Sequence, residues 1–408
     1  MSISLNLSKE KKYLVAVSGG CDSMMLLSLC VKEGYDLVVC HVNYKLRISA
    51  DRDERIVRDF CQKHKLSLYV DYPVFDDKGN FQAWAREKRY NFFKEIYDLN
   101  KCEVLLLAHH LDDGLENYLM SKERNSKTWY YGISEDTYHH GMRIIRPLMN
   151  LRKKEIEKYC LDNKIDFGLD ETNLSSQYTR NRIRYEQLDK MSDEEIKVLQ
   201  SEMKEKNKEL KNDMDYIKEK YNFNKEIEIS KYLKENENIK NIIVRFLLKE
   251  SCPSKSFSSD FIDDLKDKIK TSEKGFKIKI DDNKLIVSEY GLLYCCKKND
   301  DFKYVLNEIE YLQNEYFTLA NKGETIQQMT LSDNDFPLTI RNYQSKDKIQ
   351  LRYGHKKVNR FLIDRKVLYK DRIKWPVIEN KDGQLIFVKD IGCDVNHYSI
   401  KPNLFMVK

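Results

Sequence analysis

Short apolar runs alternate with amphipathic stretches along the first third of the chain. "YLVAV" (residues 13–17) leads into an apolar helix that ends at Glu33-Gly34. "LVVCHV" follows, then a charged helix over 51–64, "LSLYV", a longer helix over 81–99, "CEVLLLA" and a helix from Leu111. Continuous apolar strands separated by helices predict an α/β fold: a parallel sheet covered on both faces, with ligands at the C-terminal ends of its strands. Beyond Arg146-Pro147 the pattern changes. A helix is predicted over 151–164, then a polar segment through Arg184, then helices over 192–241, where apolar residues recur at helical spacing among Lys, Glu and Asn. "GFKIKIDDNKLIVSEYGLLYCC" alternates with period two about Asp281-Asp282-Asn283 and predicts a hairpin. From Phe336 onward, short strand-like runs and one helix over 357–366 predict a small mixed α+β domain. The expected division is therefore 1–190, parallel-sheet; 191–325, helical with a hairpin; and 326–408, α+β.

Composition narrows the function classes. A chain of 408 residues can bury two or three cores. The net charge of +6 is too small to indicate nucleic acid without a local concentration of it. Ten cysteines are scattered without a Cys-x-x-Cys pair, which predicts reduced thiols and excludes the usual zinc and iron-sulfur spacings. The N-terminus lacks an apolar signal core, and no apolar run approaches the roughly 18 residues of a membrane helix, so a cytoplasmic protein is expected.

The chemistry starts at Ser18-Gly19-Gly20-Cys21-Asp22-Ser23, between the first strand and its helix. Amides in such a turn converge on an anion. Neither the Walker spacing nor that of a dinucleotide turn occurs. The string resembles the PP-loop of ATP pyrophosphatases, which split ATP between its α and β phosphates. A second cluster, "LLLAHHLDDGLENYL", puts His109, His110, Asp112, Asp113 and Glu116 at another strand end and helix start. Asp113 and Glu116, three apart, share a helix face and form a paired acidic site for an ammonium group or magnesium. A third, "DETNLSSQYTRNRIRYEQ", carries Arg180, Arg182 and Arg184 around Asn181.

The PP-loop, "HVNYKLR" (41–47), "AREKRYNFF" (85–93), "AHHLDD" (108–113), "RPL" (146–148) and "DETN…YTRNRIR" (170–184) stand in one order. In that order the chain resembles the tRNA(Ile)-lysidine synthetases, densely over the first 190 residues. "IRNYQSKDKIQL", "KKVNRFLIDRKVLYKDRIKWPVI" and "DIG" extend the likeness to that family's terminal RNA-binding module. The resemblance implies ATP-dependent conversion of the wobble cytosine of a tRNA(Ile) with a CAU anticodon to lysidine. The base 2-oxo group is adenylated, the ε-amine of free lysine attacks, and AMP and diphosphate leave. A PP-loop tRNA thiolase and a non-catalytic tRNA-binding protein are the alternatives.

Residue by residue, the implied ATP site is Ser18, Gly19, Gly20, Cys21, Asp22, Ser23 and His41, with Asp22 orienting the loop or holding Mg2+. Asp113, Glu116 and Arg180 would bind lysine. Asp22, Asp113, Glu116 and Arg182 would carry the catalysis. The tRNA would meet a basic stretch that includes Arg341, Lys356, Lys357, Arg360 and Arg372, interleaved with Tyr343, Tyr353, Phe361 and Trp375. No membrane is implied, and a homodimer is left open. The chain departs from the family pattern where Tyr44 and Lys45 replace a His-Gly pair, at Gly114 and Asn117, and over 121–129.

Overall fold

The computed structural model describes residues 3–45, 49–75, 79–168, 179–253 and 255–407, with the backbone alone at 179–181. Two compact units divide the chain, Met1–Asn212 and Asp213–Lys408.

Unit one is built on β1 (Lys12–Ala16), β2 (Asp36–Val42), β3 (Ser67–Asp71), β4 (Val104–Leu106), β5 (Asp136–His139) and β6 (Met142–Ile145). Its helices are α1 (Cys21–Lys32), α2 (Ser49–His64), α3 (Phe81–Leu99), α4 (Leu111–Glu123), α5 (Lys153–Asp162), α6 (Thr179–Glu186) and α7 (Asp193–Lys220). The strand order is β3-β2-β1-β4-β6-β5, parallel except for β5. Because side chains alternate across a strand, the continuous apolar runs feed two cores. Tyr13, Val15, Val39 and Val104 join α1 and α5 on one face, while Leu14, Val38, Cys40 and Leu105 meet Tyr90, Phe93 and Ile96 of α3 on the other. Leu14 and Leu105 are fully buried, and truncating either to Ala would cost roughly 2–5 kcal/mol.

The expected parallel sheet and its helices are present. The β5–β6 hairpin is an addition to the expected elements: His140 and Gly141 between its strands both have positive φ, 50° and 72°, as a two-residue primed turn requires. The division between units falls within α7, whose Ile196, Leu199 and Met203 pack with Leu115 and Tyr118 of α4 and Ile183 of α6.

Unit two holds the helices Glu237–Ser251 and Ser259–Thr271 and a four-stranded sheet containing the expected hairpin, with Phe276–Lys279 antiparallel to Lys284–Glu289. A five-stranded antiparallel sheet follows, then a two-stranded hairpin (Lys348–Leu351 and Gly354–Lys357) that runs into the helix Val358–Asp364. Among the described residues no helix is long and apolar enough to cross a membrane.

Candidate active site

The turn after β1 is shaped by what it cannot hold. Gly19 has φ +86°, and a Cβ there would stand 2.7 Å from the Asp53 carbonyl oxygen. A Cβ on Gly168 would meet Asp53 Oδ1 at 1.9 Å. The two glycines let three backbones approach, and the Gly168 N–H donates to the Gly19 carbonyl at 2.9 Å. Ser23 closes the loop: its hydroxyl donates to the Gly20 carbonyl (2.9 Å) and accepts from the Ser18 N–H (3.1 Å). Gly20, as N-cap of α1, has no side chain to occupy the first-turn amides, which leaves them for an anion. The Cys21 side chain turns into the core beside Cys160, so what Cys21 offers to the turn is its backbone.

The N-termini of three helices meet next to this loop. Lys153, the first residue of α5, places Nζ 2.7 Å from Asp22 Oδ1 on α1. Its own N–H donates to Asp112 Oδ2 at 2.7 Å, and Arg152 Nε donates to Asp112 Oδ1 at 2.7 Å. Between them lies His110, 2% exposed, with Nε2 3.9 Å from Asp22 and 3.6 Å from Asp113. Asp113 also accepts the His110 N–H at 3.0 Å, which fixes the start of α4.

Asp113 and Glu116 do share one face, as their spacing requires, and a cation already lies against both. Arg184 of α6 donates through Nε to Glu116 Oε1 and through Nη2 to Asp113 Oδ1 at 3.1 Å. Burial opposes the charge on Arg184, yet the two carboxylates hold its pKa above the ordinary value. Arg182 points elsewhere, to Glu123 at 2.6 Å. The Arg180 side chain, Arg47 and the "DETN" segment lie outside the described residues.

A cavity of about 620 Å³ opens at the strand ends, bounded by Ser18, Asp22, Ser23 and Asp113 on the loop side and by Arg86, Arg89 and Tyr90 of α3 opposite. It has room for a nucleotide. His41 lines it with its ring fixed by Nδ1 against the Val17 carbonyl at 2.8 Å. Burial lowers its pKa below the usual value, so it is neutral near pH 7. Asn43 also faces the cavity and donates to Glu54 at 2.8 Å. Burial alone would raise Glu54, but hydrogen bonds from Tyr72, Asn43 and Arg58 bring its pKa down to about 2. Burial also lowers His109 to about 4, and its Nδ1 has no hydrogen-bond partner among the described residues. Such a buried neutral acceptor or donor suits a base or ribose edge. Tyr44, where the family pattern has His, donates its hydroxyl to the Ala85 carbonyl at 2.8 Å.

The basic stretch of unit two needs a correction. Arg341 is 9% exposed and gripped by Asp347 at 2.8 and 3.0 Å and by Glu379. Arg372 is 6% exposed and paired with Glu289 at 2.7 Å. Both are core cations rather than surface ones, because a buried guanidinium requires carboxylate partners. Lys356, Lys357 and Arg360 are exposed along the hairpin and the helix that follows it.

A parallel sheet with a glycine-rich turn at the N-terminus of α1 and a nucleotide-sized cavity is the arrangement of a PP-loop protein, and the PP-loop domain family matches residues 2–191. Over nearly the whole chain the likeness is narrower. The tRNA(Ile)-lysidine synthase of Mycoplasma mycoides subsp. mycoides is 33% identical over 403 residues, 94% of this chain and 98% of that protein. Its counterpart in Mesoplasma florum is 31% identical, over 91% of this chain and 96% of its own. That of Staphylococcus epidermidis is 29% identical, over 94% of each. The chain belongs to the tRNA(Ile)-lysidine synthase family.

Proposed function

We propose that this chain forms lysidine at the wobble cytosine of a tRNA(Ile) bearing CAU, using ATP and free lysine. The observation that carries the reading is the shared cavity. The phosphate turn (Ser18 to Ser23) and the carboxylate of Asp113 border the same space, so an activated base and an amine can meet there.

A cytosine carbonyl oxygen is a poor leaving group until adenylated. The 2-oxo oxygen attacks the α-phosphorus, the bond to the bridging α,β-oxygen breaks, and pyrophosphate departs held by the amides of the turn and the first turn of α1. The lysine ε-amine then attacks C2 and AMP leaves with the original oxygen. Only a neutral amine can attack, so a proton has to go to a base. Asp113, which borders the cavity, receives it, while Glu116 lies buried behind and shares the ammonium before its deprotonation. Arg180 is assigned to the lysine carboxylate and His41 to ATP, while Arg182, held by Glu123, would have to leave that partner to meet the phosphates. Among the described residues no three His, Cys, Asp or Glu side chains cluster as a metal site. The half-exposed Asp22 fits magnesium in the manner usual for nucleotide enzymes, one carboxylate plus phosphate oxygens, and the ion would supply charge neutralisation. The parts of the chain fall to 1–190 for chemistry, with 191–325 and 326–408 contacting tRNA through exposed cations such as Lys356, Lys357 and Arg360.

The test is transfer of labelled lysine to unmodified tRNA(Ile) with ATP and magnesium. ATP-dependent labelling that disappears in Asp22→Ala and Asp113→Ala is expected. Retention of tRNA binding with no labelling by the intact chain would overturn the reading.

A further inference from the structure

The PP-loop string contains no lysine, whereas Walker loops carry one that spans the phosphates. It does contain an acid, Asp22, at the site where a polyanion is to bind. An unmatched carboxylate there would repel the substrate. The fold supplies the matching cation from a remote part of the chain: Lys153 Nζ lies 2.7 Å from Asp22 Oδ1. The root of Lys153 is anchored by its N–H on Asp112, which is 4% exposed and tied to α5 a second time through Arg152. Its tip is not enclosed: the side chains of Lys153 and Asp22 are 31% and 30% exposed. A core ion pair would be sealed, and a surface pair would lack the fixed root. A cation with a fixed base and an open tip, beside the first turn of α1, is placed to reach a phosphate.

We propose that Lys153 is a catalytic residue of the adenylation step, its ammonium moving from Asp22 to the β-phosphate of ATP as pyrophosphate leaves. The inference rests on the reading that ATP binds at the PP-loop. No proton changes hands. The bond between the α-phosphorus and the bridging oxygen breaks, the electron pair stays with pyrophosphate, and the ammonium matches the charge gathered there.

The experiment compares the full chain with Lys153→Met, Lys153→Arg and, as a control, Lys154→Met, whose exposed Nζ faces Asp193 instead. Lysidine formation in Lys153→Met should fall by about 10²-fold in kcat, the usual effect of losing one fixed donor to developing charge. Its affinity for the α,β-methylene analogue of ATP should fall by several-fold, while KM for lysine and the thermal midpoint stay as they were. Lys153→Arg should restore much of the rate, and Lys154→Met should match the parent. Parental kcat and analogue affinity in Lys153→Met would overturn the proposal. So would a loss accompanied by a lowered midpoint and a raised lysine KM that Arg does not rescue, since that pattern marks a merely structural pair. If the parent chain itself neither binds the analogue nor forms lysidine, the PP-loop reading falls and the proposal with it.

Discussion

Asp22 and Asp113 reach the cavity with side chains 30% and 25% exposed, each against a cation from another helix. In unit two, Arg341 and Asp347 close on each other at 10% and 6%. The first arrangement leaves room to exchange partners: water and substrate can take over part of each contact, so separating the charges is cheap. The second is sealed, and removing either member strands a charge in the core. One type of contact is suited to turnover and the other to holding a sheet together, although both are salt bridges by distance.

Several substitutions would break or sharpen that contrast. Asp113→Asn keeps the shape but removes the proposed base, and lysidine formation should fall by about 10² to 10⁴-fold with an unchanged melting temperature. A loss of folding instead would place Asp113 with the sealed pairs. Arg341→Met should destabilise unit two by roughly 3–5 kcal/mol, as breaking one side of a buried pair does, measured by denaturant unfolding. Equal stability would mean the pair is dispensable. Gly19→Ala must hold a left-handed backbone, costing about 1–2 kcal/mol, and must push against Asp53; ATP affinity should suffer more than the midpoint. Unit two also carries a pH signature. Hydrogen bonding to Asp394, against the opposing effect of burial and with help from Asp335, raises His397 from 6.5 to about 9. The folded state thus binds the proton more tightly than the unfolded one. The stabilisation is fully present below pH 6.5 and fades as pH rises through about 9. His397→Gln should flatten that decline in a thermal scan. The smallest expected effect is that of Lys356→Ala, Lys357→Ala and Arg360→Ala, whose tRNA affinity should lose salt dependence by about one unit of log–log slope per lost phosphate contact.

What could be foreseen follows from the range of the forces involved. The turn at Ser18 to Ser23 is a local matter of glycine conformation and helix start, and the spacing of Asp113 and Glu116 sets their shared face. Both are written in a few adjacent residues. Lys153 and Arg184 met their partners only through folding: they stand 131 and 68 positions from the carboxylates they contact. The arginine cluster around Asn181 marks Arg184 without its partners, and nothing adjacent to Lys153 marks it at all. The misreading of Arg341 and Arg372 has the same origin. A basic residue beside aromatics looks alike on a surface and in a core until its carboxylate partner, Glu289 for Arg372, is brought up from a distant strand. Asp347, six positions from Arg341, was within local reach and was the signal available.

The contact between Gly168 and Gly19 gives the loop a built-in clock. The Gly168 amide hydrogen is committed to the Gly19 carbonyl and can exchange with solvent deuterium only when that link opens. Its exchange rate therefore counts the openings of the nucleotide turn, and a ligand that settles on the turn should slow the count before any product is made.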